Sequence, residues 1–102
     1  MESVISIIGL YDMFFNINSF TILTKNDCSW CDKAKALLKT HNYIYHEVKV
    51  PYSLSRDEFY DLVEKHNTSK TVPKIFEGKK LIGGYKELVD WIEKQDAESI
   101  AM

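Results

Sequence analysis

The chain has 102 residues, of which 45% are apolar and 27% are charged, and its formal net charge is −2. This length allows one domain, and the near-neutral charge argues against nucleic-acid binding, because domains that bind nucleic acids are usually strongly basic. No apolar run reaches the roughly 18 residues of a membrane span. The two cysteines, Cys28 and Cys31, are too few for a secreted disulfide scaffold. Their spacing is that of a redox pair or half a metal site.

The first 18 residues form a predicted N-terminal extension. Residues 4–17 are rich in Val, Ile, Leu and Phe. A signal peptide is disfavoured, because the only early charged residue is Glu2 and Asp12 interrupts the apolar run. Two alternatives remain open, which are an extra helix or turn packed on the domain and a translation start at Met13.

The first βαβ unit is predicted from three successive patterns. Residues that favour strands predict a strand over Ser19–Lys25. Apolar residues at helical spacing predict a helix over Ser29–Thr40, and its apolar face consists of Trp30, Ala34, Leu37 and Leu38. Alternation of apolar and polar residues predicts a second strand over Tyr43–Val50.

The next helix is predicted to begin at Ser53–Ser55 and to end near His66-Asn67. Ser55 and Glu58 have the spacing of a capping box. Its apolar face consists of Phe59, Leu62 and Val63. Pro51, which precedes this helix, is expected to be an ordinary loop proline.

The last part of the domain is predicted to be a hairpin and a helix. Short strands over Lys74–Glu77 and Lys80–Ile82 flank Gly78-Lys79, which suits a type II′ turn. Gly83-Gly84 ends the second strand, and a helix over Tyr85–Gln95 follows, with Leu88, Val89, Trp91 and Ile92 facing inward. Residues 97–102 are predicted to be a tail.

The resulting order, βαβαββα, predicts an α/β fold with a four-stranded mixed sheet and helices on both faces. The first βαβ unit joins parallel strands, and the hairpin adds two antiparallel strands. We therefore predict one domain over residues 19–96.

Cys28 and Cys31 lie where the first strand ends and the first helix begins. The free N–H groups and the dipole of a helix N-terminus favour a thiolate at Cys28. Cys31, one turn further along, is expected to be more buried and to resolve a mixed disulfide formed at Cys28. Asp27 and Asp32 oppose the thiolate, because a like charge raises the pKa of a thiol.

Structural zinc is the competing interpretation of the two cysteines. With His41 and His46 they superficially match a zinc finger, but the spacer of nine residues between Cys31 and His41 is shorter than usual. Moreover, residues 29–40 form one predicted helix. A redox dithiol is therefore favoured over a metal site.

Three segments of the chain resemble the glutaredoxin family. They are Lys25-Asn26-Asp27-Cys28-Ser29-Trp30-Cys31, Lys70-Thr71-Val72-Pro73 and Gly83-Gly84-Tyr85-Lys86-Glu87. The resemblance covers about residues 19–95. It implies a thioredoxin-like, three-layer fold, with glutathione as the reductant and a cis peptide bond at Val72–Pro73.

The resemblance also implies a glutathione site. Lys25 and Lys70 would meet the glycyl carboxylate, and the backbone of Val72 would pair with the cysteinyl residue. The remaining residues of the predicted site are Trp30, Thr71, Pro73, Gly84, Tyr85, Lys86 and Glu87. The turn at Gly84–Lys86 would offer N–H groups to the γ-glutamyl carboxylate, and the Glu87 carboxylate would take the ammonium group. The Lys86 side chain is expected to be solvated.

Two functions follow from the resemblance. The first is a glutathione-dependent oxidoreductase that reduces protein disulfides and glutathione mixed disulfides, with Cys28 and Cys31 as catalytic residues. The second is a dimer that binds a glutathione-ligated [2Fe-2S] cluster through Cys28, because Ser29 replaces the usual Pro. We favour the enzyme and expect a cytoplasmic monomer with no resident metal and no membrane partner. Its partners would be glutathione and disulfide-containing or glutathionylated proteins such as ribonucleotide reductase.

Overall fold

A computed structural model describes the backbone of residues 19–101 and the side chains of residues 19–97. The predictions for residues 1–18 lie outside the described residues. The elements are β1 (Ser19–Thr24), α1 (Ser29–Thr40), β2 (Ile44–Lys49), α2 (Arg56–Lys65), β3 (Lys74–Glu77), β4 (Lys80–Gly83) and α3 (Tyr85–Ala101). This order is the predicted βαβαββα.

The four strands form one mixed sheet in the order β2-β1-β3-β4. β1 pairs with β2 in parallel, from Ser19 opposite Ile44 to Thr24 opposite Lys49. β3 pairs antiparallel with both β1 and β4. The predicted fold class is therefore confirmed.

Two hydrophobic clusters cover the two faces of the sheet. One face packs against α1 and α3, and its buried residues are Phe20, Ile22, Ala34, Leu38, Ile75, Leu88 and Ile92. The other face packs against α2 through Leu23, Phe59, Val63 and Phe76. Because successive residues of a strand point to opposite faces, β1 is buried on both sides and forms the centre of the domain. Full burial of each large apolar side chain contributes about 1.5–3 kcal/mol.

The ends of α2 and of the hairpin follow local sequence signals. Ser55 is the N-cap of α2, with its Oγ accepting the Glu58 N–H at 3.1 Å while Glu58 Oε1 accepts the Ser55 N–H at 3.0 Å. The predicted capping box is thus confirmed. Gly78 has φ +58°, as the first central residue of a type II′ turn requires.

The final helix is longer than predicted. α3 continues to Ala101 rather than ending at Gln95. Residues 96–101 contain no Pro or Gly, and Ala and Glu are good helix formers, so nothing in this segment stops the helix. None of the helices described over residues 19–101 is long and apolar enough to cross a membrane.

Candidate active site

Cys28 and Cys31 lie at the start of α1, after the loop that leaves β1. Cys28 is the N-cap, and its Sγ accepts the backbone N–H of Cys31 at 3.1 Å. The two side chains form a disulfide, with Cα atoms 5.2 Å apart. Cys28 is 9% exposed and Cys31 is 1% exposed, so Cys28 is the more accessible sulfur, as predicted.

Effects of opposite sign act on the Cys28 sulfur. The N–H of the first turn and the helix dipole both favour negative charge on the Cys28 sulfur. Asp32 opposes this effect, but its Oδ1 lies 3.6 Å from Lys35 Nζ, which partly offsets its charge. Asp27 has φ +55°, a conformation that Asp tolerates better than most residues, and its exposed carboxylate is screened by solvent.

The segment before β3 carries a cis proline beside the dithiol loop. The Val72–Pro73 peptide bond is cis, and Pro73 is buried. Val72 is half-buried and lines the same groove as Lys25. The Val50–Pro51 bond is also cis, so the expectation of an ordinary loop proline is wrong. The Val50 N–H donates to Thr24 O at 2.9 Å, so the chain before Pro51 is tied to the end of β1.

The glycine pair brings the start of α3 against the cis proline. Gly83 has φ +132°, which glycine adopts far more readily than other residues. A Cβ added to Gly84 would lie 3.5 Å from Pro73 O, so two of the three predicted motifs lie next to each other. Gly84 N–H donates to Glu87 Oε1 at 2.8 Å, and Leu88 N–H donates to Gly84 O at 3.0 Å. Glu87 therefore caps the helix, a role that the sequence did not predict.

Trp30 and Tyr85 connect α1 with α3 beside the dithiol. Their ring centroids are 5.4 Å apart, and Lys33 Nζ lies 4.5 Å from the Trp30 ring centroid. Trp30 is 54% exposed, unlike Ala34 on the same helical stripe, which is fully buried. The exposed indole therefore forms a surface platform rather than part of the core.

Lys25 and Lys70 line one open groove of about 370 Å³. Both lysines of the predicted glutathione site therefore lie on one groove, whereas their contact with the glycyl carboxylate stays a prediction. Lys70 Nζ lies 4.7 Å from the Tyr60 ring centroid, a cation–π distance. Lys86, in contrast, is an exposed residue in the first turn of α3.

Lys74 is a buried cation that no sequence pattern predicted. It is 3% exposed, and its Nζ donates to Thr71 Oγ1 at 3.0 Å and to Ser69 Oγ at 3.3 Å. Burial lowers the pKa of Lys74, and the Glu87 charge acts in the opposite direction. Thr71 is therefore held by Ser69 and Lys74. The only sequence signal is a hydroxyl three residues before a lysine, which is common on surfaces.

Thr24, Glu47 and Lys35 form a polar network at the end of β1, where the loop to the dithiol begins. Thr24 is fully buried, and its Oγ1 donates to Glu47 Oε2 at 2.6 Å. Lys35 Nζ donates to the same oxygen at 3.1 Å. The hydrogen bond from Thr24 lowers the pKa of Glu47, and the bond to Glu47 raises the pKa of Lys35. The network joins the end of β1, the middle of β2 and α1.

Within the part of the chain that the structure describes, no three His, Cys, Asp or Glu side chains are grouped to hold a metal ion. His41 is the C-cap of α1, and His46 lies on β2. The competing zinc interpretation is therefore not supported, since its cysteines form a disulfide. The cluster-binding hypothesis needs only one thiolate from each subunit, so it stays a prediction.

Comparison with known proteins gives one consistent answer. The family model described as Glutaredoxin matches residues 20–82. Glutaredoxin-1 of Gallus gallus is 34% identical over 71 residues, which cover 70% of each chain. Glutaredoxin 1 of Rickettsia prowazekii is 35% identical over 79 residues, which cover 78% of this chain and 81% of the relative. The chain belongs to the glutaredoxin family.

Among solved structures, a buckwheat glutaredoxin–glutathione complex is similar in fold. Its TM-score is 0.66 at 21% identity, and the match covers 98% of this chain and 89% of the other. The predicted thioredoxin-like fold is confirmed. Glutaredoxins are thiol–disulfide oxidoreductases with glutathione as reductant, and this chain is a dithiol member with the sequence Cys-Ser-Trp-Cys. The roles of the individual glutathione-site residues stay predictions.

Proposed function

We propose that this glutaredoxin reduces mixed disulfides of proteins with glutathione through Cys28. The Cys28 thiolate attacks the glutathione sulfur, a new disulfide forms between Cys28 and glutathione, and the protein thiolate leaves. The thiolate of a second glutathione then attacks this disulfide. Oxidised glutathione leaves, and the Cys28 thiolate is regenerated.

We propose a second route for protein disulfides that uses both cysteines. Cys28 forms a mixed disulfide with the substrate, and the Cys31 thiolate attacks Cys28, which releases the reduced substrate and leaves the Cys28–Cys31 disulfide. Two glutathione molecules then return the pair to the dithiol and become oxidised glutathione. One observation carries this proposal. The Cys28–Cys31 disulfide lies at the N-terminus of α1, and Cys28 is more exposed than Cys31.

We further propose that glutathione lies between the cis proline and the start of α3. The closeness of Gly84 to Pro73 supports this, since Val72 directly precedes Pro73 and Gly84 begins the turn at Gly84–Glu87. The γ-glutamyl carboxylate would accept from that turn, and the glycyl carboxylate would meet Lys25 and Lys70. Trp30 and Tyr85 offer an aromatic wall for the same ligand.

The substrates that we propose are glutathionylated and disulfide-bonded proteins, of which ribonucleotide reductase is one example. We propose that the chain acts as a monomer in the cytoplasm. Sedimentation of the reduced protein with and without glutathione tests the monomer, and fractionation of the source cells tests the location. Anaerobic reconstitution with iron, sulfide and glutathione tests the cluster hypothesis, for which a coloured dimer is the supporting result.

Serine variants of the two cysteines test the two routes. Cys28→Ser should abolish glutathione-dependent reduction of every substrate. Cys31→Ser should retain reduction of a glutathionylated peptide and lose reduction of a protein disulfide. Activity that survives in Cys28→Ser would overturn the proposal. A coupled assay that compares glutathione and its reductase with thioredoxin reductase identifies the electron donor.

A further inference from the structure

A basic groove extends away from the dithiol, between the loop after β1 and helix α2. It has a volume of about 370 Å³, and its lining includes Lys25, Arg56, Lys70, Tyr52 and Tyr60. Neither cysteine lines it, and neither does the turn at Gly84–Glu87. A glutathione molecule bound as proposed above uses Lys25, Lys70 and Val72 of this lining. Arg56, Tyr52 and Tyr60 are left for another part of the substrate.

The charge of the groove is of one sign, although the chain as a whole carries −2. Its lining holds three cations and no carboxylate. Arg56, the only arginine in the chain, is the first residue of α2, where the helix dipole adds partial positive charge. The neighbouring acid Glu58 is engaged with the Ser55 N–H in the capping box, and Asp57 does not line the groove.

The groove also presents exposed aromatic surface. Tyr52 is 71% exposed and Tyr60 is 37% exposed. Asn26 Nδ2 donates to Tyr52 OH at 3.4 Å, so the tyrosine is linked to the loop that carries the dithiol. Exposed tyrosines beside an arginine are typical of surfaces that bind peptides and proteins.

We propose that the basic groove binds acidic residues next to the target cysteine of a protein substrate. While glutathione pairs with the Val72 backbone, the protein segment next to the target cysteine lies over the part of the groove that Arg56, Tyr52 and Tyr60 line. Arg56 then meets a substrate carboxylate in the bidentate geometry that guanidinium favours, and the tyrosines pack against its apolar atoms. The inference rests on the proposed function, and it names the substrate class as cysteines in acidic segments.

Three glutathionylated peptides with one sequence test this inference. The residues flanking the cysteine on both sides are Asp or Glu in the first peptide, Asn or Gln in the second and Lys in the third. We expect kcat/KM to fall about tenfold from the acidic to the neutral peptide at low salt and to fall again for the basic peptide. The preference should shrink as salt is added, because salt screens exposed charges.

Three variants test whether the groove causes this preference. Arg56→Glu should reverse the preference, and glutamate suits the first turn of a helix, so α2 should still form. Lys94→Glu makes the same charge change on the exposed side of α3 and should keep the wild-type preference. Tyr52→Ala should lower kcat/KM for all three peptides by a similar factor.

The outcomes separate this inference from the proposed function. Equal kcat/KM for the three peptides at low salt would overturn the proposal that the groove binds acidic residues, and the proposed oxidoreductase function would still stand. An unchanged preference in Arg56→Glu would also overturn it. If no glutathionylated peptide is reduced, and glutathionylated cysteine without flanking residues is not reduced either, the proposed function itself is wrong.

Discussion

Glu87 accepts the backbone N–H of Gly84 through Oε1 at 2.8 Å, and this bond closes the first turn of α3 against the cis proline. The sequence predicted a different role, as the carboxylate that takes the glutathione ammonium. The capping role requires only an acceptor oxygen, whereas the binding role requires a negative charge. The two roles are therefore separable by substitution.

Glu87→Gln and Glu87→Ala distinguish the two roles. The glutamine retains an acceptor, so its free energy of unfolding should stay within about 0.5 kcal/mol of wild type. The alanine loses the acceptor and should lose about 1 kcal/mol in urea unfolding. If the carboxylate also binds the ammonium group, Glu87→Gln should raise KM for glutathione several-fold. Glu93→Gln, at an exposed position on the same helix, is the control, and an alanine variant as stable as wild type would contradict the capping role.

Gly83 and Gly84 should respond differently to alanine. Gly83 has φ +132°, and a Cβ there would lie 2.7 Å from Glu87 Cβ, so Gly83→Ala should lose about 1–3 kcal/mol. A Cβ at Gly84 would lie 3.3 Å from Glu87 Oε1, the end of a side chain that can move. Gly84→Ala should therefore lose less stability but raise KM for glutathione. Thermal unfolding measures the first effect, and equal losses in the two variants would contradict it.

Much of the fold could be predicted from the sequence, because its signals are local. The spacing of Ala34 and Leu38 gave the buried face of α1, and Ser55 with Glu58 gave the start of α2. The end of α3 was predicted too early, because the absence of a breaker after Gln95 is a weaker signal than a cap. Trp30 shares a stripe with Ala34, but its position in the first turn leaves it beside Tyr85 at the surface.

The parts of the site that could not be predicted depend on contacts between distant segments. Thr24 and Glu47 are 23 residues apart, and only the parallel register of β1 and β2 brings them together. Arg56 and Lys25 converge because α2 packs on the face of the sheet next to the dithiol loop. Lys74 is buried because Ser69 and Thr71 supply acceptors, and no periodic pattern marks such a position.

The burial of Lys74 gives a prediction about charge. Its lowered pKa means that the folded state disfavours the ammonium, so the unfolded state binds the proton more tightly. Lys74→Met removes this penalty together with two hydrogen bonds, while Ser69 and Thr71 still bond to each other at 2.8 Å. We expect its free energy of unfolding at pH 7 to stay within about 1 kcal/mol of wild type. Lys74→Glu, which puts a carboxylate near Glu87, should unfold far more readily, and a methionine variant equally unstable would contradict this account.

The network of Thr24, Glu47 and Lys35 should make stability depend on acid pH. The pKa of Glu47 is lowered from its usual value of 4.5, first by the hydrogen bond from Thr24 and then by Lys35. As pH falls below about 4.5, the unfolded state takes up the Glu47 proton before the folded state does, so stability decreases until the folded pKa is passed. Above that range the stabilisation is fully present.

Glu47→Gln tests this dependence by removing the titrating group. The variant should lose about 1.5–3 kcal/mol at pH 7, where a hydrogen-bonded charge is replaced by a neutral amide. It should also lose less further stability than wild type between pH 5 and pH 3, a range set by the acid pKa values. Urea unfolding at several pH values measures both effects, and Glu64→Gln, at an exposed position on α2, is the control. If the free energy of unfolding falls equally with pH in Glu47→Gln and in wild type, the lowered pKa of Glu47 does not contribute to folding stability. The network then only orients the chain at the end of β1.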